Sequence, residues 1–300
     1  MKLLLLSVLL LNSLFAFEYT LSPTKVNSNT YCFFGLPEVM NEKNNGNISN
    51  SCYVNMGDSY IVIDSGPSYL YAKSTHANMK EIKDLPISYL INTHGHDDHY
   101  LGNAYYKEIG VEIVGSKEFK NVEIVQETRM QSRISKEAYA GTKQVFPSTL
   151  VDGTKVLELN GIKVYLEAVD KRAHSNSDIF IHIPKYETIF AGDLVFSERI
   201  PVIRDGNLNN WIEALEKIKT IKAKHIIGGH GEIVDKSSID STYNYIKTLR
   251  DKVAFALEDG DELDDAVNNI KMEDFKEYKT YSEQHKPNVA IAYRKLEWEQ

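Results

Sequence analysis

Thr93-His94-Gly95-His96-Asp97-Asp98-His99 follows directly on the apolar run Ile87-Ser88-Tyr89-Leu90-Ile91. The run predicts a strand, and the polar stretch predicts a tight turn entering a helix. That path presents His94 and His96 on one side and Asp98 and His99 on the other. Imidazole nitrogens and carboxylate oxygens are ligands that zinc favours, and the H-x-H-x-D-H spacing suits two metals side by side. Histidine supplies only 9 of 300 residues. Such a concentration is therefore uncommon by chance, and the stretch reads as a metal site rather than a polar loop.

Three further candidates arrive downstream. His174 lies in Ala173-His174-Ser175-Asn176-Ser177-Asp178, after a long strand pattern. Asp193 follows the apolar strand Thr188-Ile189-Phe190, which is expected to break at Gly192. His230 follows Ile226-Ile227-Gly228-Gly229, a buried strand pattern ending in glycines. Each candidate is thus expected just past a strand end, in a loop that a rigid sheet holds in place. In motif order and spacing the chain resembles the metallo-β-lactamase-fold superfamily over about residues 30 to 250. The resemblance implies one metal held by His94, His96 and His174 and a second held by Asp98, His99 and His230, with Asp193 bridging. It implies two zinc ions, with iron or manganese as alternatives. Asp97 falls on a variable position and is not counted as a ligand. Asp64, before the Ser65-Gly66 turn, reads either as a carboxylate that fixes a ligating imidazole or as an ordinary turn residue. His76, His182, His225 and His285 match nothing in the pattern and read as surface or packing residues.

The first sixteen residues predict an exported protein. Met1-Lys2 starts positive, Leu3 to Leu14 is largely apolar, and Leu14-Phe15-Ala16 suits cleavage, the pattern of a secretory signal peptide over residues 1–16. The apolar stretch is short for a spanning helix, so no stable membrane insertion is expected after cleavage. The expected location is periplasmic or secreted. Cys32 and Cys52 are the only cysteines and lie on neighbouring strand patterns. In an oxidising compartment they read as a disulfide, with two free buried thiols as the other reading. The intervening polar stretch Asn41 to Asn50 reads as a mobile hairpin loop. A net charge of -8 argues against nucleic acid as a partner and leaves a small-molecule substrate.

The remaining pattern supports an α/β fold, a four-layer αββα sandwich, in one domain over 17–300 with a helical C-terminal extension from about 237. Tyr60 to Ile63 reads as a buried strand followed by a helix to about Lys83. Leu101 to Ile109 reads as a helix leaving the histidine stretch, then Val111 to Val114 as a short strand. Phe119 to Tyr139 has helical spacing. Asn160-Gly161 between Lys155–Leu159 and Ile162–Ala168 signals a hairpin. Asp178 to Ile183 and Thr188 to Ala191 pair as another. Asn210 to Lys222 reads as an amphipathic helix before a final strand at His225 to Gly228.

For function, the resemblance implies an exported zinc-dependent hydrolase that uses a metal-bridging hydroxide, oriented by Asp98, to cleave a small ester, thioester or lactone. The bridging Asp193 resembles glyoxalase II, lactonases and related hydrolases. The all-histidine set in an exported chain also resembles one β-lactamase subclass, so cleavage of β-lactam amides is a second reading. An iron-dependent sulfur dioxygenase and a non-catalytic exported metal-binding protein are the others. The chain shows no basic cluster suited to the carboxylates of glutathione. Asn288-Val289-Ala290-Ile291-Ala292-Tyr293-Arg294 resembles exported metallo-hydrolases linked to sulfur-oxidation or quinoprotein systems.

Overall fold

The computed structural model describes residues 17–121 and 129–299. The expected signal peptide lies outside the described residues. Among the described residues, twelve strands form two sheets. The first runs β1 (Thr24–Lys25), β2 (Thr30–Phe33), β3 (Ser51–Asn55), β4 (Tyr60–Ile63), β5 (Ile87–Ile91), β6 (Glu112–Ser116) and β7 (Thr149–Val151), in that spatial order. The second is ordered β12 (His225–His230), β11 (Thr188–Phe196), β10 (Ile179–Ile183), β9 (Ile162–Ala168) and β8 (Thr154–Leu159). Hairpins pair the antiparallel strands, and β4 to β7 and β11 with β12 run parallel.

Strand alternation explains why two sheets stack. On β4, Ile61 and Ile63 face the second sheet and meet Leu166, Ile181, Phe190 and Ile227. Tyr60 and Val62 point the other way, toward Ala72 and Met79 of α1 (Tyr69–Ile82) and Tyr106 of α3 (Asn103–Glu108). Both faces are therefore apolar, as a sheet covered on two sides requires. The second sheet is covered by α4 (Leu208–Thr220) and α5 (Ser237–Asp259), through Trp211, Leu215, Tyr245 and Leu249. The result is the expected four-layer αββα sandwich.

Local signals act as anticipated at several points. Asn160 and Gly161 both take positive φ (51° and 68°), which turns β8 into β9 with Leu159 opposite Ile162. Ser68, which the sequence reading did not single out, caps α1 by accepting from the Tyr71 amide at 3.2 Å. Cys32 and Cys52 face each other across β2 and β3 and are bonded.

Four expectations change. The histidine stretch enters a short helix, α2 (Asp97–Tyr100), which breaks before α3 because Gly102 lies against the first sheet: a Cβ there would meet the Ser65 carbonyl at 2.2 Å. A single helix over 119–139 does not form in the described part. A 3-10 turn spans Lys117–Asn121, and helical backbone at 129–131 gives way to turns; residues 122–128 lie outside the description. β11 does not end at Gly192 but continues through Asp193 to Phe196, shifting register around Gly192. Finally, the Asn41 to Asn50 stretch is folded in: Asn44, Asn45, Ser49 and Asn50 are buried.

Beyond Ser237, α5, α6 (Leu263–Asn269) and α7 (Tyr281–Glu299) share one apolar cluster with α4 and β11. No helix among the described residues is long and apolar enough to cross a membrane.

Candidate metal centre

The site lies where β4 and β5 of one sheet and β11 and β12 of the other end together. Ile179 donates to the Thr93 carbonyl at 2.7 Å and Gly95 donates to Ser177 Oγ at 3.1 Å, joining the two halves. From the first sheet come His94 and His96, in the loop after β5, and Asp98 and His99 on α2. From the second come His174 in the loop between β9 and β10, Asp193 inside β11 and His230 at the end of β12.

The glycines around Asp193 have a steric reason. At Gly192, φ is 52° and a Cβ would meet the Thr93 side chain at 2.6 Å; at Gly229 it would lie 1.9 Å from Asp193 Oδ1. Only bare backbone lets that carboxylate reach the centre.

Each ring is held from behind. Asp64 sits in the left-handed region (φ 57°), which an Asp tolerates and which aims its carboxylate inward. It accepts from the Thr93 amide and hydroxyl, both at 2.7 Å, and from His99 Nδ1 at 2.8 Å. Because Thr93 gives its hydroxyl proton to Asp64, its oxygen is the acceptor for His94 Nδ1 at 3.1 Å. His230 Nδ1 donates to the Ile48 carbonyl at 2.6 Å, and His96 Nε2 to Asp205 Oδ2 at 2.9 Å. Trp211 packs edge-on against His174, with ring centres 4.9 Å apart. With the rear nitrogens of these four rings donating, their front lone pairs converge.

The front atoms fall into two groups sharing one carboxylate. His94 Nε2 and His174 Nε2 lie 3.0 and 2.9 Å from His96 Nδ1. Asp193 Oδ2 is 3.3 Å from His174 Nε2 and 3.2 Å from His230 Nε2, while its Oδ1 is 3.1 Å from His99 Nε2. Asp98 Oδ2 stands 3.5 Å from His230 Nε2 and 3.6 Å from His99 Nε2. The atoms of His94, His96, His174 and Asp193 all lie within 4.8 Å of one another, as do those of Asp98, His99 and His230. Three nitrogen lone pairs meeting at hydrogen-bond distance repel unless a cation sits among them, and His99 Nε2 and Asp193 Oδ1 are buried without a hydrogen-bond partner. The donor set fits metal ions.

Charges follow from this crowding. Burial, then the neighbouring His99, holds His94 well below the ordinary imidazole range, and burial lowers His174 to about 3, so both rings stay neutral and ligand-ready. Burial also disfavours charge on His99, but Asp193, Asp98 and Asp64 outweigh it and push that ring well up. Burial would raise Asp193, yet His230, His99, His94 and His174 hold its carboxyl well below the usual range.

The structure brings His94, His96, Asp98, His99, His174, Asp193 and His230 together and places Asp64 behind His99. His76 bonds Tyr105 and His285 is packed between Tyr245 and Ile270, clear of the centre. Three contributors escaped the sequence reading. Asp205, a lone carboxylate in a loop, orients His96. The asparagine-rich stretch supplies the Ile48 carbonyl, and Ser49 donates to the Asp98 carbonyl at 2.5 Å. Asn50 fastens this stretch to β12 by donating to Gly228 and Gly231. Arginines also gather. Arg129 pairs with the buried Asp97, and Arg129, Arg133, Arg199 and Arg204 all line a cleft of about 300 Å³ over the ligands. They fall in two pairs, Arg129 with Arg133 and Arg199 with Arg204, some 66 residues apart, so no single linear cluster announced them.

The sequence pattern of the metallo-β-lactamase superfamily matches residues 44–230, a span that contains all seven candidates. The chain belongs to the metallo-β-lactamase superfamily. It is 28% identical over 141 residues to a hydroxyacylglutathione hydrolase of Hyphomonas neptunium, covering 46% of this chain and 45% of that protein. The chain spans about half the length of the curated relatives it matches. Its fold is similar to that of a metallo-β-lactamase from Pontibacter korlensis (TM-score 0.60, 18% identity, 76% of this chain and 99% of that one). It is also similar to an inverting sec-alkylsulfatase from a Pseudomonas species (TM-score 0.73, 13% identity, 92% of this chain and 50% of that one).

Proposed function

We propose that the protein is an exported, dinuclear zinc hydrolase acting on a small ester, thioester or lactone. In this reading His94, His96 and His174 hold one ion, Asp98, His99 and His230 the other, and Asp193 is shared. The observation that carries it is the pair of buried ligand groups meeting at Asp193, with His99 Nε2 and Asp193 Oδ1 lacking any other partner. When bound, the ions supply an activated water and a Lewis acid for the scissile carbonyl. The chain's own residues supply the rest. Burial would raise the Asp98 carboxyl, but His99 and His230 hold it below its ordinary value, so it is ionised and accepts the proton of the attacking water at Oδ2. Arg129, 3.7 Å from Asp98 Oδ1, steadies that charge. The cleft volume of about 300 Å³ suits a small molecule. The superfamily membership and the hydroxyacylglutathione hydrolase relative support hydrolysis, and the disulfide supports export.

The test is elemental analysis of protein purified without chelator, followed by a panel of lactone, thioester and β-lactam substrates. The expected result is about two ions per chain and turnover of an ester-type substrate. Asp98→Asn should fold normally and lose about a hundredfold or more in kcat. Oxygen uptake with a persulfide and no hydrolysis, or one iron per chain, would overturn the reading. Export predicts a mature chain beginning at Phe17 in the periplasmic or secreted fraction, read by intact mass.

A further inference from the structure

The walls above the candidate metal ligands are unlike the rest of the protein. Of 34 basic residues in this acidic chain only seven are arginines, the others being lysines. Four of those arginines, Arg129, Arg133, Arg199 and Arg204, line this cleft, and among the described residues no lysine does. Arginine is the side chain suited to planar, two-pronged recognition of oxyanions, whereas lysine acts as a point charge.

The four are not equivalent. Arg129 is committed to Asp97, with Nε donating at 2.8 Å. Arg204 binds the adjacent Asp205 through Nε and Nη2. Arg133 is exposed and has no carboxylate partner among the described residues. Arg199 is the telling one. It is 4% exposed, its Nη1 donates to the Glu38 carbonyl at 2.9 Å, and its Nε has no partner at all. Burying a guanidinium without a direct ion pair is costly; among the described residues no carboxylate pairs with Arg199, and Asp193 and Asp98 act on it only through space. Asp98, Asp193 and Asp205, the acids that line the cleft, already face the histidines.

We propose that Arg133 and Arg199, with Arg204 at the rim, form a subsite for an oxyanion group, and that the substrate carries a carboxylate, sulfate or phosphate beside its scissile bond. The inference rests on the hydrolase reading of the same cleft and names its substrate class. Helix α7 closes the opposite side through Gln284, Pro287, Asn288 and Ile291, so the anion docks beside the metal ligands in a confined space. Asn288 holds the arginine-bearing loop from α7, donating to the Pro201 carbonyl at 2.8 Å and accepting from the Ile203 amide at 3.3 Å.

The test has two independent readouts. Calorimetric titration of the protein as purified, with acetate, sulfate and inorganic phosphate, reads binding, and the tightest of the three names the anion. Binding should weaken at least tenfold in Arg133→Ala and in Arg199→Lys. Anion binding that is unchanged in these variants belongs to the metals and overturns the subsite, as does no binding. Paired thioester or ester substrates, alike except for a neutral or anionic substituent, read selectivity. The anionic member should show at least tenfold higher kcat/KM, and that ratio should fall about tenfold in Arg133→Ala. Hydrolysis of both members at equal rates overturns the subsite while leaving the hydrolase reading standing; hydrolysis of neither, with anion binding intact, overturns the hydrolase reading instead. If Arg199→Lys fails to fold by circular dichroism, Arg133→Ala and Arg204→Ala, both on solvent-facing side chains, decide the matter.

Discussion

Gly229 shows how far one residue's absence of a side chain reaches. Its Cα lies so near Asp193 that a methyl group would overlap Oδ1 at 1.9 Å and crowd the Asp193 amide at 2.9 Å. Gly229→Ala should therefore displace the shared carboxylate while leaving the sandwich folded. Metal affinity should drop by about ten- to a hundredfold, the scale seen when ligand positioning is lost; an unchanged metal content and affinity would show that Asp193 is not a ligand. Asp178 offers a second residue-scale test. Burial, against the hydrogen bonds from Ser175, raises its carboxyl from 3.8 to about 6. A raised folded value means the native state keeps the proton to higher pH than the unfolded chain. Its contribution to folding is thus fully present below pH 4 and is lost as pH rises through 6. In metal-free protein, Asp178→Asn should gain on the native chain by about 3 kcal/mol between pH 4 and pH 7. Parallel stability curves for the two proteins over that range would contradict it.

At the scale of elements, legibility depends on whether a signal is local. The hairpin at Asn160-Gly161 and the strand before His94 are written in adjacent residues, and both formed as expected. The convergence of the seven candidates was readable because metal chemistry restricts residue type so tightly that scattered side chains remain recognisable. What was hidden depends on contacts between distant segments. Asn41 to Asn50 is as polar as an exposed loop, yet its amides and carbonyls are consumed by β12, His230 and Asp98, so composition misled. Asp193 was expected beyond a strand end because Gly192 resembles a breaker, whereas the glycine lets the strand bulge against Thr93 and continue. The four cleft arginines come from two segments, 129–133 and the loop between β11 and α4, which meet only in the fold. The β2–β3 element carries its own prediction. Cys32 and Cys52 enclose a separation of 20 residues, for which the chain-entropy argument gives about 3 kcal/mol. Neither cysteine belongs to the two ligand groups, so Cys32→Ala/Cys52→Ala should melt lower yet keep its metal content. Loss of metal at temperatures where the variant is folded would tie the bridge to the site.

Over the whole molecule, the candidate metal ligands fall on the boundary between two halves that are otherwise joined mainly by the apolar layer between the sheets. His94, His96, Asp98 and His99 belong to the first half, and His174, Asp193 and His230 to the second. An ion bound by both groups is therefore also a clamp between sheets. Without it, convergent lone pairs and the carboxylates of Asp98 and Asp193 face one another in a buried space, which is unfavourable. Binding to the native state alone stabilises by about 4 kcal/mol for each site occupied at a thousand times its dissociation constant. For a chain of this size that is a fall of roughly 10 °C or more in Tm when both sites are emptied. Stripping the metals with a chelator, verified by elemental analysis, should produce that fall, and zinc added back should restore it. Asp193→Asn should narrow the gap between the stripped and loaded forms, because the residue that touches both groups is weakened as a ligand. Equal melting of stripped and loaded protein would mean that Asp64, Asp205 and the Ile48 carbonyl already hold the rings as firmly as metal does, and the clamp would be unnecessary to the fold.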